Sequence, residues 1–318
     1  MNDFRSGYIA IIGRPNVGKS TLVNALLRQK IVAVSPKPQT TRKRQLGIFT
    51  TDKYQLVFVD TPGMHSPRHK LGKFLNQEAE ESLQGVDVVL WLVDGSVRPT
   101  DEDKQIGLLL NNLPRRTPLV IAANKMDLNP PEALTRNLEA YQASVQKARV
   151  DDRREGRNEA KVISISATQN TNLDSLIELL VSLSPFRAPE YDEEQVTDSY
   201  ERDIAADLVR EACLNNLRDE VPHGVGVRID EFKERENGML YIAATVFVER
   251  DSQKGIVIGE GGKMLKAIGS AARKEIEAMG GRPVFLELRV KVLKDWRNDE
   301  NLMKRFGYRI DKKKRRAR

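Results

Sequence analysis

Eight residues near the start of the chain, GRPNVGKS at 13 to 20, restrict the possible fold more than any other stretch. They fit the spacing GxxxxGK[ST], follow the apolar run YIAII, and precede TLVNALL, whose apolar residues recur at helical intervals. A glycine-rich turn between a strand and a helix points successive backbone N–H groups inward, and the helix start adds the positive end of its dipole. Such a turn is built for phosphate rather than for simple chain reversal. Gly13, Arg14, Pro15, Asn16, Val17, Gly18, Lys19, Ser20 and Thr21 are therefore candidate nucleotide ligands. Lys19 supplies a point charge for the β- and γ-phosphates, and the Ser20 hydroxyl suits Mg²⁺, a hard cation that prefers oxygen.

The residues around this turn predict an α/β doubly wound domain. YIAII, YQLVFVD, VDVVLWLVD, TPLVIAAN and KVISIS are rich in Val, Ile and Leu without strict alternation, as strands covered on both faces should be. Between them TLVNALL, LGKFLNQEAEESL, DKQIGLLLNNL and LDSLIELLVSL have helical spacing. At 318 residues the chain is long for one core, and two domains are the natural expectation. The pattern breaks at SPFRAPEYDEEQVTD, where prolines and a run of acids leave no apolar face. The expected layout is a first domain over 1–184, a linker over 185–198 and a second domain over 199–318.

A phosphate turn alone leaves kinase, ATPase and GTPase open. NKMD, residues 124 to 127 at the end of TPLVIAAN, narrows the choice. An Asp127 carboxylate accepts from both the N1–H and the exocyclic amine of guanine, a donor pair that adenine lacks. Asn124 is expected to brace the loops and the Lys125 stem to cover the base, with Met126 between them. DTPG follows YQLVFVD: Asp60 is placed for the Mg²⁺ shell, and Gly63, after Thr61 and Pro62, for sensing the γ-phosphate through its N–H. Either Thr40 or Thr41 in PQTTRKRQ is a candidate to close over Mg²⁺. The residue after DTPG is Met64, and a thioether cannot orient an attacking water; His65 and His69 nearby are weak candidates for a base. Hydrolysis by the isolated chain should be slow.

The second domain reads helix, strand, strand, a short helix before IVIG, a longer helix over KMLKAIGSAARKEIEAM, and a last strand. In VFLELRVKVLK, Val284, Leu286, Leu288, Val290 and Val292 alternate with Glu287, Arg289 and Lys291, so one face packs and the other meets water. The turn GEGG at 259 to 262 joins the two helices. With 21 glycines in the chain, a bare GxxG is expected about once by chance, so only its surroundings give it meaning. Leu265, Ile268, Ala272, Ile276 and Met279 form a core face on the following helix, leaving Lys263, Lys266, Arg273 and Lys274 elsewhere on it.

Basic residues outnumber acidic ones by 52 to 45, a surplus of +7 that suits a polyanionic partner as well as plain solubility. Cys213, the single cysteine, falls on the apolar helix face Ala205, Val209, Cys213, Leu217, where it packs; it excludes an intramolecular disulfide and fits a reducing compartment. No apolar run approaches the length that spans a bilayer, and the N-terminus lacks a signal-peptide layout, so a cytoplasmic protein is expected. The tail IDKKKRRAR is a basic end able to add non-specific attraction to RNA or anionic lipid.

These motifs carry two resemblances. With Ser166 and Ala167 after KVISI, where the backbone would meet the guanine oxygen, the first domain is similar to a P-loop GTPase domain. Related TTR sequences point to Thr41 as the mobile threonine, so the resemblance implies Ser20, Thr41 and Asp60 as Mg²⁺ ligands and Lys19, Thr41 and Gly63 as catalytic. In this GTPase class an asparagine at the position of Asn16 helps bind K⁺. The second domain's helix-GxxG-helix, within an α-β-β-α-α-β order, resembles a type II KH domain, an α+β fold whose loop clamps about four unpaired nucleotides. That resemblance implies RNA contacts from Ile258, Gly259, Glu260, Gly261, Gly262, Lys263, Lys266 and Arg273. Many KH loops carry a basic residue between the glycines; Glu260 and Gly261 stand there, which shifts the burden to Lys263 and Lys266.

The joint arrangement resembles the Era-like GTPase family over nearly the whole chain. That implies GTP hydrolysis to GDP, binding of the 3′-terminal region of 16S rRNA, and assembly of the 30S ribosomal subunit by a monomeric cytoplasmic protein with some peripheral membrane contact. From residues alone the reading reaches only a Mg²⁺-dependent GTPase joined to a single-strand RNA binder. A GTPase whose second domain docks protein or an anionic membrane stays open as the alternative, and a P-loop kinase would have no need of NKMD.

Overall fold

The computed structural model describes residues 3–37, 40–64, 67, 69–114, 116–146 and 159–308. The basic tail and His65 lie outside this set. The chain divides into two compact units: residues 1–32, 41–66 and 75–198 form one, and residues 33–40, 67–74 and 199–318 the other.

The first unit is a six-stranded sheet. Its strands are β1 (Arg5–Ile12), β2 (Gln45–Thr50), β3 (Tyr54–Asp60), β4 (Val88–Asp94), β5 (Leu119–Asn124) and β6 (Lys161–Ser164). They lie in the order β2-β3-β1-β4-β5-β6, parallel except for β2, which runs antiparallel to β3. Every residue of β4 is buried, which is why VVLWLVD shows no alternation. Helices cover both faces. α1 (Lys19–Leu27) and α5 (Leu173–Leu183) supply Leu22, Leu26, Leu176 and Leu180 against Ile9, Ile11, Leu90 and Val120 on one side. On the other, α3 (Asp101–Asn111) and α4 (Pro131–Gln146) bring Ile106, Leu110, Tyr141 and Val145 against Ile12, Trp91 and Ile121. α2 (Lys70–Glu81) precedes β4 in the chain.

Two elements of this unit have weak sequence signals. β2 pairs as an edge strand and shows only Leu46 and Ile48 to the small cluster with Val57 and Val59. α4 carries Asn137 on its buried side, where the amide donates to the Gly95 carbonyl at 2.9 Å, so a polar residue interrupts its apolar stripe. Strand order reverses between β3-β1 and β4, and the loops after β1 and β4 open at that switch point, where ligands of such sheets bind.

Residues 185–198 carry no helix or extended strand. They are nevertheless fastened to the first unit: the Gln55 side chain accepts from the N–H of Glu190 and of Tyr191 and donates to the Tyr191 carbonyl, and the Ile48 N–H donates to Val196.

The second unit has the order α6 (Glu201–Asn216), β7 (Gly226–Glu234), β8 (Leu240–Val248), α7 (Asp251–Ile258), α8 (Lys263–Gly280), β9 (Val284–Val292) and α9 (Glu300–Arg305). β8 pairs antiparallel with β7 and parallel with β9. The alternation expected in β9 places Val284, Leu286, Leu288, Val290 and Val292 on the core shared with α6 and α8. Cys213 is fully buried there, and burial pushes its thiol up to about 12, far from reactivity at neutral pH.

Two local differences from the sequence reading have physical causes. α7 runs through IVI instead of stopping before it, because the break is made by Gly259 at φ 71. The second is the last segment, from Trp296 to Tyr308, which closes this unit. Trp296 is fully buried, donates to the Gly224 carbonyl at 2.9 Å and packs on Phe306; a six-residue helix is too short to announce itself by periodicity. Residues 33–40 and 67–74 cluster with this unit as well. The Val34 N–H donates to Glu211 at 3.0 Å, Ser35 to Asn215 at 2.8 Å, and Arg210 to the Thr40 carbonyl. The Lys70 N–H donates to Asn298 at 3.3 Å. No helix among the described residues is long and apolar enough to cross a membrane.

Candidate nucleotide site and nucleic-acid groove

The phosphate turn leaves β1 and enters α1, and its glycines are dictated by close backbone approach. A Cβ on Gly13 would meet the Leu92 carbonyl at 2.4 Å, and one on Gly18, at φ 100, would meet the Asn124 amide at 2.4 Å. Gly63 also lies close to the turn, since its Cβ would reach the Pro15 nitrogen at 2.9 Å. Asn16 is exposed in the left-handed region at φ 64. Lys19 is buried and donates to the carbonyls of Gly13 and Arg14 at 3.1 and 3.0 Å. Burial lowers its ammonium to about 8 against the opposing pull of Asp60.

Three oxygens from separate elements meet beside Lys19. The hydroxyls of Ser20 and Thr41 are 2.8 Å apart, and each donates to the same Asp60 oxygen at 3.0 Å. Asp60 is fully buried and its other carboxylate oxygen has no partner. Burial raises its carboxyl above the ordinary range, opposed by Lys19 and the two hydroxyls. Hard oxygen donors around one orphaned buried carboxylate oxygen fit Mg²⁺. The structure brings Thr41 to this cluster and turns Thr40 away, its hydroxyl donating to the Lys37 carbonyl at 2.8 Å. Thr61 braces the loop by donating to the Ile11 carbonyl at 2.7 Å. Met64 packs against the apolar cluster under α3 and α4, and His69 groups with the second unit.

Asn124 ties the loops into one piece. Its amide donates to the Val17 carbonyl at 2.8 Å, and its oxygen accepts the Ala167 N–H at 2.9 Å. Ser166 and Ala167 are held at the end of β6 by the paired backbone bonds of Ser166 with Thr171. Asp127, in the turn Met126–Leu128, is exposed, and its carboxylate has no partner among the described residues, so both oxygens are free to accept from a base. Lys125 adopts φ 66 and its ammonium reaches Asp94 at 2.7 Å. Asp94 had no motif to mark it. Burial alone would raise its carboxyl, but hydrogen bonds from Lys125 and Ser96 outweigh that and hold it below the usual range.

In the second unit GEGG joins α7 to α8. Gly259, Gly261 and Gly262 all have positive φ. A Cβ on Gly259 would strike Met264 at 2.7 Å, whereas Gly261 and Gly262 face open space. Beside the turn, α8 and β9 enclose a groove of about 440 Å³ lined by Gly262, Leu265, Lys266, Gly269, Arg273 and Phe285, with Leu286 and Leu288 below. Lys266 and Arg273 line it, whereas Lys263 and Lys274 are exposed outside it. Sequence reasoning passed over Phe285, which is 49% exposed, stacks on Tyr241 at 5.9 Å and lies under the Arg235 guanidinium; its signal was an aromatic on the water-facing side of a strand.

Residues 8–125 match the family model described as 50S ribosome-binding GTPase, and residues 220–297 match that of the KH domain. Fold and site thus define a P-loop GTPase followed by a KH unit. The GTPase Era of Ruminiclostridium cellulolyticum is 42% identical over 97% of this chain and 99% of its own length. That of Halothermothrix orenii is 43% identical over 96% and 99%. Among solved structures, Era in complex with MgGDPNP and nucleotides 1506–1542 of 16S ribosomal RNA superposes with a TM-score of 0.86, 36% identity and coverage of 96% and 100%. A point variant of Aquifex aeolicus Era bound to GDP·AlF₄⁻ gives the same values. The chain belongs to the GTPase Era family, and it is a GTPase.

Proposed function

We propose that this GTPase is a switch that binds the 3′-terminal region of 16S rRNA and assists assembly of the 30S ribosomal subunit, working as a cytoplasmic monomer. The observation that carries it is the presence on one chain of a buried phosphate cradle and, in the other unit, a cation-rimmed groove opening beside GEGG. The Era structure holding Mg-nucleotide and that RNA supports the reading. Residues 1–184 form the GTPase domain in this proposal, and 199–318 the KH domain.

In the nucleotide site, the backbone of residues 13–21 cradles the phosphates and Lys19 exchanges its two carbonyl partners for phosphate oxygens. Asp127 reads guanine, Lys125 covers it and the backbone at Ser166 and Ala167 meets its oxygen. Ser20, Thr41 and Asp60 hold Mg²⁺, which when bound neutralises charge on the phosphate oxygens. Thr41 and the Gly63 N–H close on the γ-phosphate. No side chain in DTPGM orients water, so turnover depends on an added charge or partner, and we assign a K⁺ site to Asn16. Equal turnover in K⁺ and Na⁺ buffers refutes that assignment.

Switching follows from chain continuity. Thr41 stands beside Asp60, while the residues just before it are fastened to α6 by Glu211, Asn215 and Arg210. Ordering of Thr41 on a bound γ-phosphate therefore pulls on a segment anchored in the RNA-binding unit. The test measures binding of a 16S 3′-end RNA with GDP and with a non-hydrolysable GTP analogue, in wild type and Gly261→Asp. Nucleotide-dependent affinity lost in the variant is expected. Equal affinity in both nucleotide states refutes the switch, and a fully active Gly261→Asp favours a domain that docks protein or membrane instead.

A further inference from the structure

Asp94 ends β4 at the point where strand order reverses, beside the phosphate turn. One carboxylate oxygen accepts from Ser96, N–H at 3.1 Å and hydroxyl at 2.5 Å, which fixes its orientation. The other accepts the Lys125 ammonium at 2.7 Å and the Arg14 guanidinium at 3.4 Å. Arg14 is held a second time by fully buried Asp103 at 3.2 Å, itself fixed by Thr100 and Tyr141. One buried carboxylate therefore grips a residue of the phosphate turn and a residue of the base loop.

We infer that Asp94 is a positioning residue for guanine nucleotides: by pinning the Lys125 ammonium it holds the lysine stem as a preformed wall for the base, and through Arg14 it keeps the phosphate turn in register with that wall. The inference rests on the nucleotide-site reading given above. A free lysine is rotamer-rich, and a ligand that must order it loses affinity by about 2- to 10-fold. Electrostatics alone has the opposite sign. Deleting a carboxylate near a phosphate site would tighten binding, and GTP more than GDP, because the triphosphate carries more charge.

The experiment measures dissociation constants of fluorescent GDP and GTP for the full chain, with kcat at saturation and the melting temperature without nucleotide. Asp94→Asn should weaken both nucleotides about 2- to 10-fold, equally, with kcat within about twofold of wild type. In a Lys125→Gln background the same change should have less effect, because only its hold on Arg14 remains. Asp101→Asn, an exposed carboxylate bonded only to Lys104, should change nothing. Tighter binding in Asp94→Asn, no change, or effects that simply multiply in the double variant overturns the inference. If Asp94→Asn does not fold, Ser96→Ala removes only the orienting hydroxyl, and weakening of about two- to threefold is expected; unchanged affinity there is equally fatal. Lys19→Ala and Asp127→Ala separate the two readings. If both keep full affinity, the site itself is misassigned, whereas their failure alongside a neutral Asp94 removes only this inference.

Discussion

Replacing Asn124 by alanine is the sharpest test of how the nucleotide loops are held. The side chain makes two hydrogen bonds, to the Val17 carbonyl and from the Ala167 N–H, and both residues are buried, Val17 wholly and Ala167 to within 4%. Alanine strands both backbone groups away from water. A buried group left unsatisfied costs about 1–3 kcal/mol, so the expected loss is about 2–6 kcal/mol. At about 2–4 °C per kcal/mol for a unit of this size, the melting temperature of the nucleotide-free protein should fall on the order of 5–20 °C. Gly18→Ala attacks the same bond from the other side, because its Cβ would sit 2.4 Å from the Asn124 amide. In an Asn124→Ala background that clash disappears, leaving only the positive-φ strain of about 1–2 kcal/mol, so the double variant must be less destabilised than the two singles added together. Melting followed by circular dichroism decides it. A fall below about 2 °C in Asn124→Ala, or strict additivity with Gly18→Ala, refutes the brace.

Three further outcomes are expected. Lys266→Ala and Arg273→Ala, whose side chains rim the groove, should each weaken RNA binding and lower the slope of log affinity against log salt by about 1 in filter-binding titrations; Lys274→Ala, outside the groove, should do so less. Trp296→Ala should destabilise the second unit by about 3–5 kcal/mol, read as a shifted denaturant midpoint, since the indole is fully buried and its N–H satisfied. Burial opposes but does not cancel the bonds from Thr245 and Arg228 that hold the Asp230 carboxyl below its ordinary value. Its contribution is therefore complete above about pH 4 and lost as pH falls through the depressed value, and Asp230→Asn should flatten that acid limb in melting curves against pH.

What the sequence disclosed depended on how local each signal was. Buried strands such as VVLWLVD and the turn GRPNVGKS carry their meaning within a few residues, because continuous burial and close backbone approach each demand particular side chains. β2 and α4 were hidden for opposite reasons. β2 splits three apolar side chains between its faces, Leu46 and Ile48 to a small cluster and Phe49 to the main one, and α4 spends a buried position on Asn137 to satisfy the Gly95 carbonyl. Asp94 belongs to no motif, and Asp103 only to the helix cap it forms with Thr100: their role at the site exists only because β4 and α3 meet the phosphate turn in space. Thr40 and Thr41 are equally indistinct to spacing, since both fit; resemblance to TTR sequences points to Thr41, and its hydroxyl is the one that meets Asp60.

The two glycine turns show why one motif is legible alone and the other is not. In GRPNVGKS both glycines are needed because another backbone or side chain occupies the space a Cβ would take, so the spacing is fixed by contacts inside the fold. In GEGG only Gly259 is constrained in that way. Gly261 and Gly262 face open space with positive φ, so nothing within the protein forbids a side chain except backbone strain. A turn kept bare toward solvent is explained by something that must approach it from outside. Its meaning therefore comes from the groove beside it, where Lys266, Arg273 and exposed Phe285 offer charge for phosphates and a face for a base. A charge placed on that bare surface, as in Gly261→Asp, should thus injure RNA binding far more than folding.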